Sequence, residues 1–168
     1  STYQAVSGAG GAGYNDLKNG ATGDAPQEFQ HPIHANVLPH IDVFLEKGYT
    51  KEEEKMINAS RKILGLPHLR VTATTVRVPV YHGHSESINV ELKQPFDLEE
   101  LKQALSQAPG LVLEDDPANN VYPMPINAED HDEVYVGRVR RDNSVENGVN
   151  LWVCLTTSER ARPPTRYR

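Results

Sequence analysis

Only one cysteine, Cys154, stands in the 168 residues, so no disulfide can close within the chain. A reducing, cytoplasmic setting is the expectation. No apolar run approaches the roughly 18 to 20 residues that a membrane helix needs. The first residues lack the basic and apolar regions of a signal peptide. There is also no starting methionine; the sequence opens on Ser-Thr-Tyr-Gln, as a piece cut from a longer protein would. A basic excess is lacking too, because 17 Lys and Arg stand against 23 Asp and Glu, a net charge of -6. That balance argues against nucleic acid or an anionic membrane as partner, since either needs a positive field. A small anionic substrate stays compatible, because a few local cations can hold it inside an acidic protein. No internal repeat is visible.

What is present fits one globular domain on the polar side, 38% hydrophobic and 24% charged, long enough for a real core and with room for an irregular arm. Residues 2–6, TYQAV, read as a short strand. The Gly-, Asn-, Asp- and Pro-rich stretch after it reads as an irregular loop to about residue 37. Gly8, Gly10 and Gly13 spell GxGxxG. A dinucleotide loop, however, needs a following helix and an acid about 20 residues on, and neither is expected here. His31, His34 and His40 are separated by Pro32 and Pro39, a spacing that suits loop histidines better than a metal site.

Thr50 with Glu53 forms a capping box, opening a helix with Met56, Ala59 and Ile63 as its stripe up to Gly65 and Pro67. Its acidic first turn fits the helix dipole. Residues 69–81 alternate as a strand, with Val76, Val78 and Val80 on one face and Thr75, Arg77 and Pro79 on the other. Ile88, Val90 and Leu92 mark the next strand. Asp97 with Glu100 caps a helix whose stripe is Leu98, Leu101, Leu105 and Ala108. Strands at 111–114, 133–140 and 149–153 follow, the last two joined by a turn at 143–148. This order predicts an α+β domain with a mostly antiparallel sheet, covered by helices on one face. A bare second face makes a homodimer plausible.

The stretch Thr72–Glu91 concentrates the chemistry. Arg77 lies mid-strand, where a charge must be exposed or paired; it is either a solvent-facing arginine or a carboxylate ligand. His82 and His84 meet at a His-Gly-His-Ser bend, as zinc ligands lacking a third partner or as one general base. Cys154 sits poorly for a nucleophile. Residues and spacing alone stop at an α+β domain that holds an anion beside a histidine.

Five collinear blocks carry a resemblance: STYQAVSGAG at 1–10, IDVFLEKGYTKEEEKM at 41–56, VRVPVYHGHSESINVEL at 76–92, PGLVLEDDP at 109–117 and GVNLWV at 148–153. Together they closely resemble the bacterial aspartate-semialdehyde dehydrogenase family, from residue 1 to about 153. The resemblance implies the catalytic and dimerisation domain of the aspartate-semialdehyde and glyceraldehyde-phosphate dehydrogenase type, over residues 1–153. It implies NADPH-dependent reductive dephosphorylation of aspartyl 4-phosphate to aspartate 4-semialdehyde, on the way to lysine, threonine and methionine. His84 matches the acid/base histidine and Arg77 the clamp on the substrate α-carboxylate. Glu52 matches the carboxylate for the substrate amino group and Lys55 the cation near the phosphate, one helical turn apart. Gln4 matches a substrate-holding glutamine. Ser7 and Gly8 match a turn against the nicotinamide end of NADP, and no metal is implied.

The sequence also departs from the family. The family's nucleophilic cysteine and NADP-binding Rossmann domain lie upstream of the STYQAVSGAG block, and Cys154 is not that cysteine. An inactive fragment is therefore the expectation, with a non-catalytic dimerisation or binding module as the alternative and a histidine metal hydrolase as a remote third. Past NLWV the family continues with a helix resembling VSDNLREGAATNTV, whereas residues 154–168 read as an aberrant, disordered basic tail. A codon choice for residues 153–167 exists whose shifted frame encodes that helix, so a frameshift is expected there.

Overall fold

The computed structural model describes residues 1–156. The chain forms two compact units, Ser1–Tyr81 and the part from His82 onward.

In the first unit, β1 (Thr2–Gln4) lies parallel to β2 (Thr75–Arg77), with Thr2 opposite Thr75 and Gln4 opposite Arg77. After a 3-10 turn at Val6–Ala9 comes α1, Gly10–Gly20, a helix inside the stretch expected to be irregular to residue 37. Its glycines each cost about 0.5–1 kcal/mol relative to alanine. Packing outweighs that cost. Leu17 joins Val6, Ile33 and Leu38 in a buried cluster backed by Phe29. Gly13 is required for the fit, because a Cβ there would stand 2.8 Å from the Val6 carbonyl oxygen and from the Ala9 Cβ, and 3.0 Å from the Phe29 ring. Propensity counts each glycine as a loss and cannot register such a close approach.

The capping box at Thr50 forms as expected and opens α2, Lys51–Ile63. The expected stripe is shifted, however. Glu53 and Ile57 are the buried residues of α2, and Ile63 is 82% exposed. β2 is also shorter than the strand expected over 69–81, and its more deeply buried face is the polar one. Thr75 and Arg77 are buried, whereas Val76 and Val78 are only half-buried. Long-range hydrogen bonds tie this segment down: the Thr75 amide donates to Glu53 Oε1 at 3.0 Å, and Arg77 Nη1 donates to the Ala5 carbonyl at 2.7 Å. These bonds meet the Thr75 amide and one end of the guanidinium, while Thr75 Oγ1 and Arg77 Nε are buried without a hydrogen-bond partner among the described residues.

The second unit holds β3 (His84–Glu91), α3 (Leu98–Gln107), β4 (Leu111–Leu113), α4 (Pro125–Ala128), β5 (Val134–Asp142) and β6 (Gly148–Leu155). The strands stand in the order β3-β6-β5-β4. β6 is antiparallel to both neighbours, and β4 is parallel to β5. The mixed sheet and its helices make the expected α+β architecture. Asp97 caps α3 by accepting from the Glu99 and Glu100 amides. The stripe Leu98, Leu101 and Leu105 packs on a core of Val136, Val139, Val149 and Val153 with Ile88 and Val90.

Val136 and Val139 are an odd number of residues apart, so a regular strand would place them on opposite faces. A register shift between Gly137 and Arg140, with Arg138 at φ 53°, re-phases β5 and puts both in the core. Gly137 leaves room for the chain to pass, since a Cβ there would run into the Glu114 carbonyl oxygen and stand 2.5 Å from Pro123 Cδ. β6 runs to Leu155, two residues past the expected boundary at 153. Of the tail expected at 154–168, Cys154 and Leu155 belong to β6, and residues 157–168, with most of the expected frameshift, lie outside the described residues.

Candidate functional site

Arg77 is the best-defined element of the site. Its backbone is fixed on two sides: it exchanges both hydrogen bonds with Leu38, at 2.8 and 2.9 Å, and pairs with Gln4 across β1. The residue is 6% exposed, and Nη1 is occupied by the Ala5 carbonyl. Nε is buried with no hydrogen-bond partner among the described residues. Leaving such a donor unmet costs about 1–3 kcal/mol, more for a charged group. Burial lowers the Arg77 pKa below the ordinary arginine value, and the charges of Glu52 and Glu28 raise it part of the way back. The Phe29 ring lies with its centroid 5.7 Å from the guanidinium carbon, within cation–π range.

A cleft of about 420 Å³ opens beside Arg77 in the first unit, lined among others by Glu28, Phe29, His40, Asp42 and Phe44. Its walls come from the loop between α1 and α2. His40 stacks on Phe44 at 4.3 Å between ring centroids, so this one of the three loop histidines is an aromatic wall.

Helix α2 brings the other expected substrate contacts. Glu52 and Lys55 share a face and form an ion pair of 3.0 Å, with Lys55 mostly exposed and Glu52 largely covered. Gln4 is buried as the register partner of Arg77. Ser7 and Gly8 lie in the 3-10 turn that follows Ala5, with Gly8 exposed. The first unit therefore places Gln4, Ser7, Gly8, Glu52, Lys55 and Arg77 on three connected elements: β1 with its turn, the start of α2, and β2. His84 opens β3 in the second unit, half-buried. His82 sits 3.7 Å from a Glu129 carboxylate oxygen.

Two contributors escape a sequence reading. Glu53 was legible as a capping residue, yet its second oxygen, which holds the Thr75 amide, has no local signal because the partner is 22 residues away. Asp16 looks like one more polar residue in a Gly/Asn stretch, although its carboxylate accepts from three backbone amides.

Cys154 is fully buried in β6, within 3.3 Å of the Ser85 hydroxyl. Burial raises its pKa above the ordinary thiol value, which is opposite to the activation of a nucleophile. A raised folded-state pKa contributes stability that is present below the unfolded value near 9.0 and is lost as pH rises through the folded one. Urea unfolding from pH 7 to 10.5 should therefore show the wild-type advantage over Cys154→Ser shrinking above about pH 9. A constant difference would show that the thiol ionises alike in the folded and unfolded chain, so that burial does not shift it.

Residues 1–155 match the family model for the semialdehyde dehydrogenase dimerisation domain. The chain belongs to the semialdehyde dehydrogenase family. It is 51% identical over 160 residues to the aspartate-semialdehyde dehydrogenase of Aquifex aeolicus, covering 91% of this chain and 47% of that relative. Aspartate semialdehyde dehydrogenase II of Vibrio cholerae superposes with a TM-score of 0.85 at 40% identity, over 92% of this chain and 48% of that one. The same enzyme was also solved complexed with ASA. A Candida albicans aspartate semialdehyde dehydrogenase solved with NADP shares the fold, with a TM-score of 0.64 at 24% identity over 92% of this chain and 43% of that one. The chain spans about half the length of the curated relatives it matches.

Proposed function

We propose that the chain is the substrate-binding and dimerisation part of an NADPH-dependent aspartate-semialdehyde dehydrogenase. The reaction is the reductive dephosphorylation of aspartyl 4-phosphate to aspartate 4-semialdehyde, with release of phosphate, in lysine, threonine and methionine biosynthesis. The observation that carries this reading is the buried Arg77 guanidinium, whose Nε lacks an acceptor beside an open cleft. A planar fork with one side taken by Ala5 and the other free suits a carboxylate. Glu52 supplies negative charge for the substrate ammonium, Lys55 a cation for the phosphate, and Gln4 an amide on the Arg77 side of β1.

His84 is the acid/base group, a role that an imidazole fills near neutral pH. For the cofactor, Ser7 and the exposed Gly8 form a turn followed by Gly10 and Gly11, where a Cβ would meet nothing within 4 Å. That open backbone fits the nicotinamide end of the cofactor, whose reduced form, NADPH, would supply the hydride when bound. The covalent step requires a reactive thiolate, and Cys154 does not provide it, so the nucleophile comes from outside these 168 residues.

The partner is a second copy of the chain, in keeping with the dimerisation domain that residues 1–155 match. The sheet face of the second unit opposite α3 supports this, because Ser87 and Asn89 are exposed there. The setting is the cytoplasm. Among the described residues no helix is long and apolar enough to cross a membrane.

The 168-residue polypeptide, assayed with aspartate semialdehyde, phosphate and NADP, is expected to form no NADPH. Turnover by the isolated polypeptide would refute its dependence on an outside nucleophile. The semialdehyde, titrated to about 10 mM, should shift the NMR signals of Arg77 and its neighbours, since even a Kd of about 1 mM approaches saturation there. Unmoved signals would reject the binding role itself.

A further inference from the structure

Arg77 owes part of its environment to a residue that touches neither it nor the cleft. Asp16, on α1 and 8% exposed, accepts hydrogen bonds from the backbone amides of Gln27, Glu28 and Phe29 at 2.9, 2.9 and 3.0 Å. Three amides converging on one carboxylate fix three successive residues of a segment that has no helix or strand of its own. Two of those residues face Arg77. Phe29 lies under the guanidinium, and Glu28 raises its pKa; both line the cleft.

The same helix holds the Phe29 ring from the other end. Gly13, one turn before Asp16, lets the ring tip approach closely, and the ring backs the cluster of Val6, Leu17, Ile33 and Leu38. Phe29 is thus gripped at its backbone by Asp16 and at its ring by Gly13 and the core. The structural burden falls on one carboxylate, because the loop from 21 to 32 has few other anchors. Desolvation raises the Asp16 pKa, but the three amides outweigh it and leave the group below the ordinary aspartate value.

We infer that Asp16 is a positioning residue for the substrate-carboxylate cleft, acting on Arg77 through the Gln27–Phe29 segment. The inference rests on the proposed role of Arg77. Asn at position 16 keeps one neutral acceptor oxygen and turns an NH2 toward at least one amide that also donates, so the segment should loosen without an unfilled cavity. A cation–π wall such as Phe29 against the guanidinium is worth up to about thirtyfold when desolvated. With only the wall moved and Arg77 still held by Ala5 and Leu38, the expected loss is roughly tenfold.

The test measures aspartate semialdehyde affinity by NMR titration in wild type, Asp16→Asn, Arg77→Lys, the double variant and Phe29→Leu, each checked for folding by thermal melting. Asp16→Asn and Phe29→Leu should each lose roughly tenfold, and the Asp16 effect should vanish in the Arg77→Lys background. A lower melting temperature with unchanged affinity would mean that Asp16 serves the fold alone, overturning the inference. If Asp16→Asn does not fold, Phe29→Leu decides, and wild-type affinity there overturns it equally. Loss in Arg77→Lys without loss in Asp16→Asn sinks this inference and leaves the Arg77 reading standing. Equal binding by wild type and Arg77→Lys removes both.

Discussion

Replacing Arg77 with lysine is expected to weaken aspartate semialdehyde binding by roughly 30- to 300-fold, or about 2–3.4 kcal/mol, the range for charge-assisted and bidentate contacts. Lysine keeps the charge, so the loss isolates the fork. The present guanidinium is held at both ends: Nη1 donates to Ala5, the ring of Phe29 lies near the central carbon, and Nε waits for an acceptor. An ammonium group can replace the first contact or reach the ligand, but its three donors diverge from one atom and cannot do both in a plane. Alanine would lose more and say less, since it also empties a buried volume beside Ala5 and Phe29. Calorimetric or NMR titration of both variants gives the answer. A lysine variant that binds within about threefold of wild type would reduce Arg77 to a source of field, because 0.7 kcal/mol is the scale of an exposed ion pair.

The same arginine shows where sequence reading works and where it stops. Alternation located the β2 strand and made Arg77 notable, because a charge in mid-strand demands a partner. It separated the valine side of β2 from the Thr75 and Arg77 side but left open which faces the core, and the structure buries Thr75 and Arg77 more deeply. Periodicity records which residues prefer oil to water; it contains nothing about an acceptor 22 or 72 residues away that makes a polar face burial-competent. N-caps succeeded for a corresponding reason, as a full capping box at Thr50 and as a side-chain cap at Asp97. At Thr50 and Asp97 the donors and acceptors lie within three residues, so the whole interaction is written in a local stretch. The second unit was legible for the same reason: Ile88 and Val90, or Leu98, Leu101 and Leu105, need only a period to define a face.

The N-terminal 37 residues were the least legible. Their glycines read as breaks, yet Gly13 is small because α1 must approach Val6 and Phe29 closely. The GxGxxG spelling runs into a helix after all, and α1 holds the wall of the cleft beside Arg77 through Asp16 and Phe29. The family resemblance supplied roles that no spacing could, from His84 to Lys55. It did not supply the residues that hold those roles in place, since Asp16 and Glu53 act through backbone amides that leave no motif.

Glu53 is the residue whose loss should cost the fold most. One carboxylate oxygen takes the Thr50 amide at the start of α2, 2.9 Å away, and the other takes the Thr75 amide at the start of β2, 3.0 Å away. The residue is 8% exposed, and Thr50 and Thr75 are buried around it. Glu53→Ala leaves two buried N–H groups unmet at about 1–3 kcal/mol each and breaks the capping box, so a loss of about 3–5 kcal/mol is expected. Glu53→Gln keeps one acceptor oxygen and should lose about half as much. Urea or thermal unfolding measures both. Because Glu52 and Lys55 ride on the first turn of α2 and Arg77 ends β2, the glutamine variant should also bind the semialdehyde less tightly while remaining folded. A glutamine variant with weaker folding and wild-type affinity would show that the link between α2 and β2 supports the domain without setting the cleft. An alanine variant as stable as wild type would show that water satisfies the two amides, and that the helix and strand are held together by apolar packing around Ile57 instead.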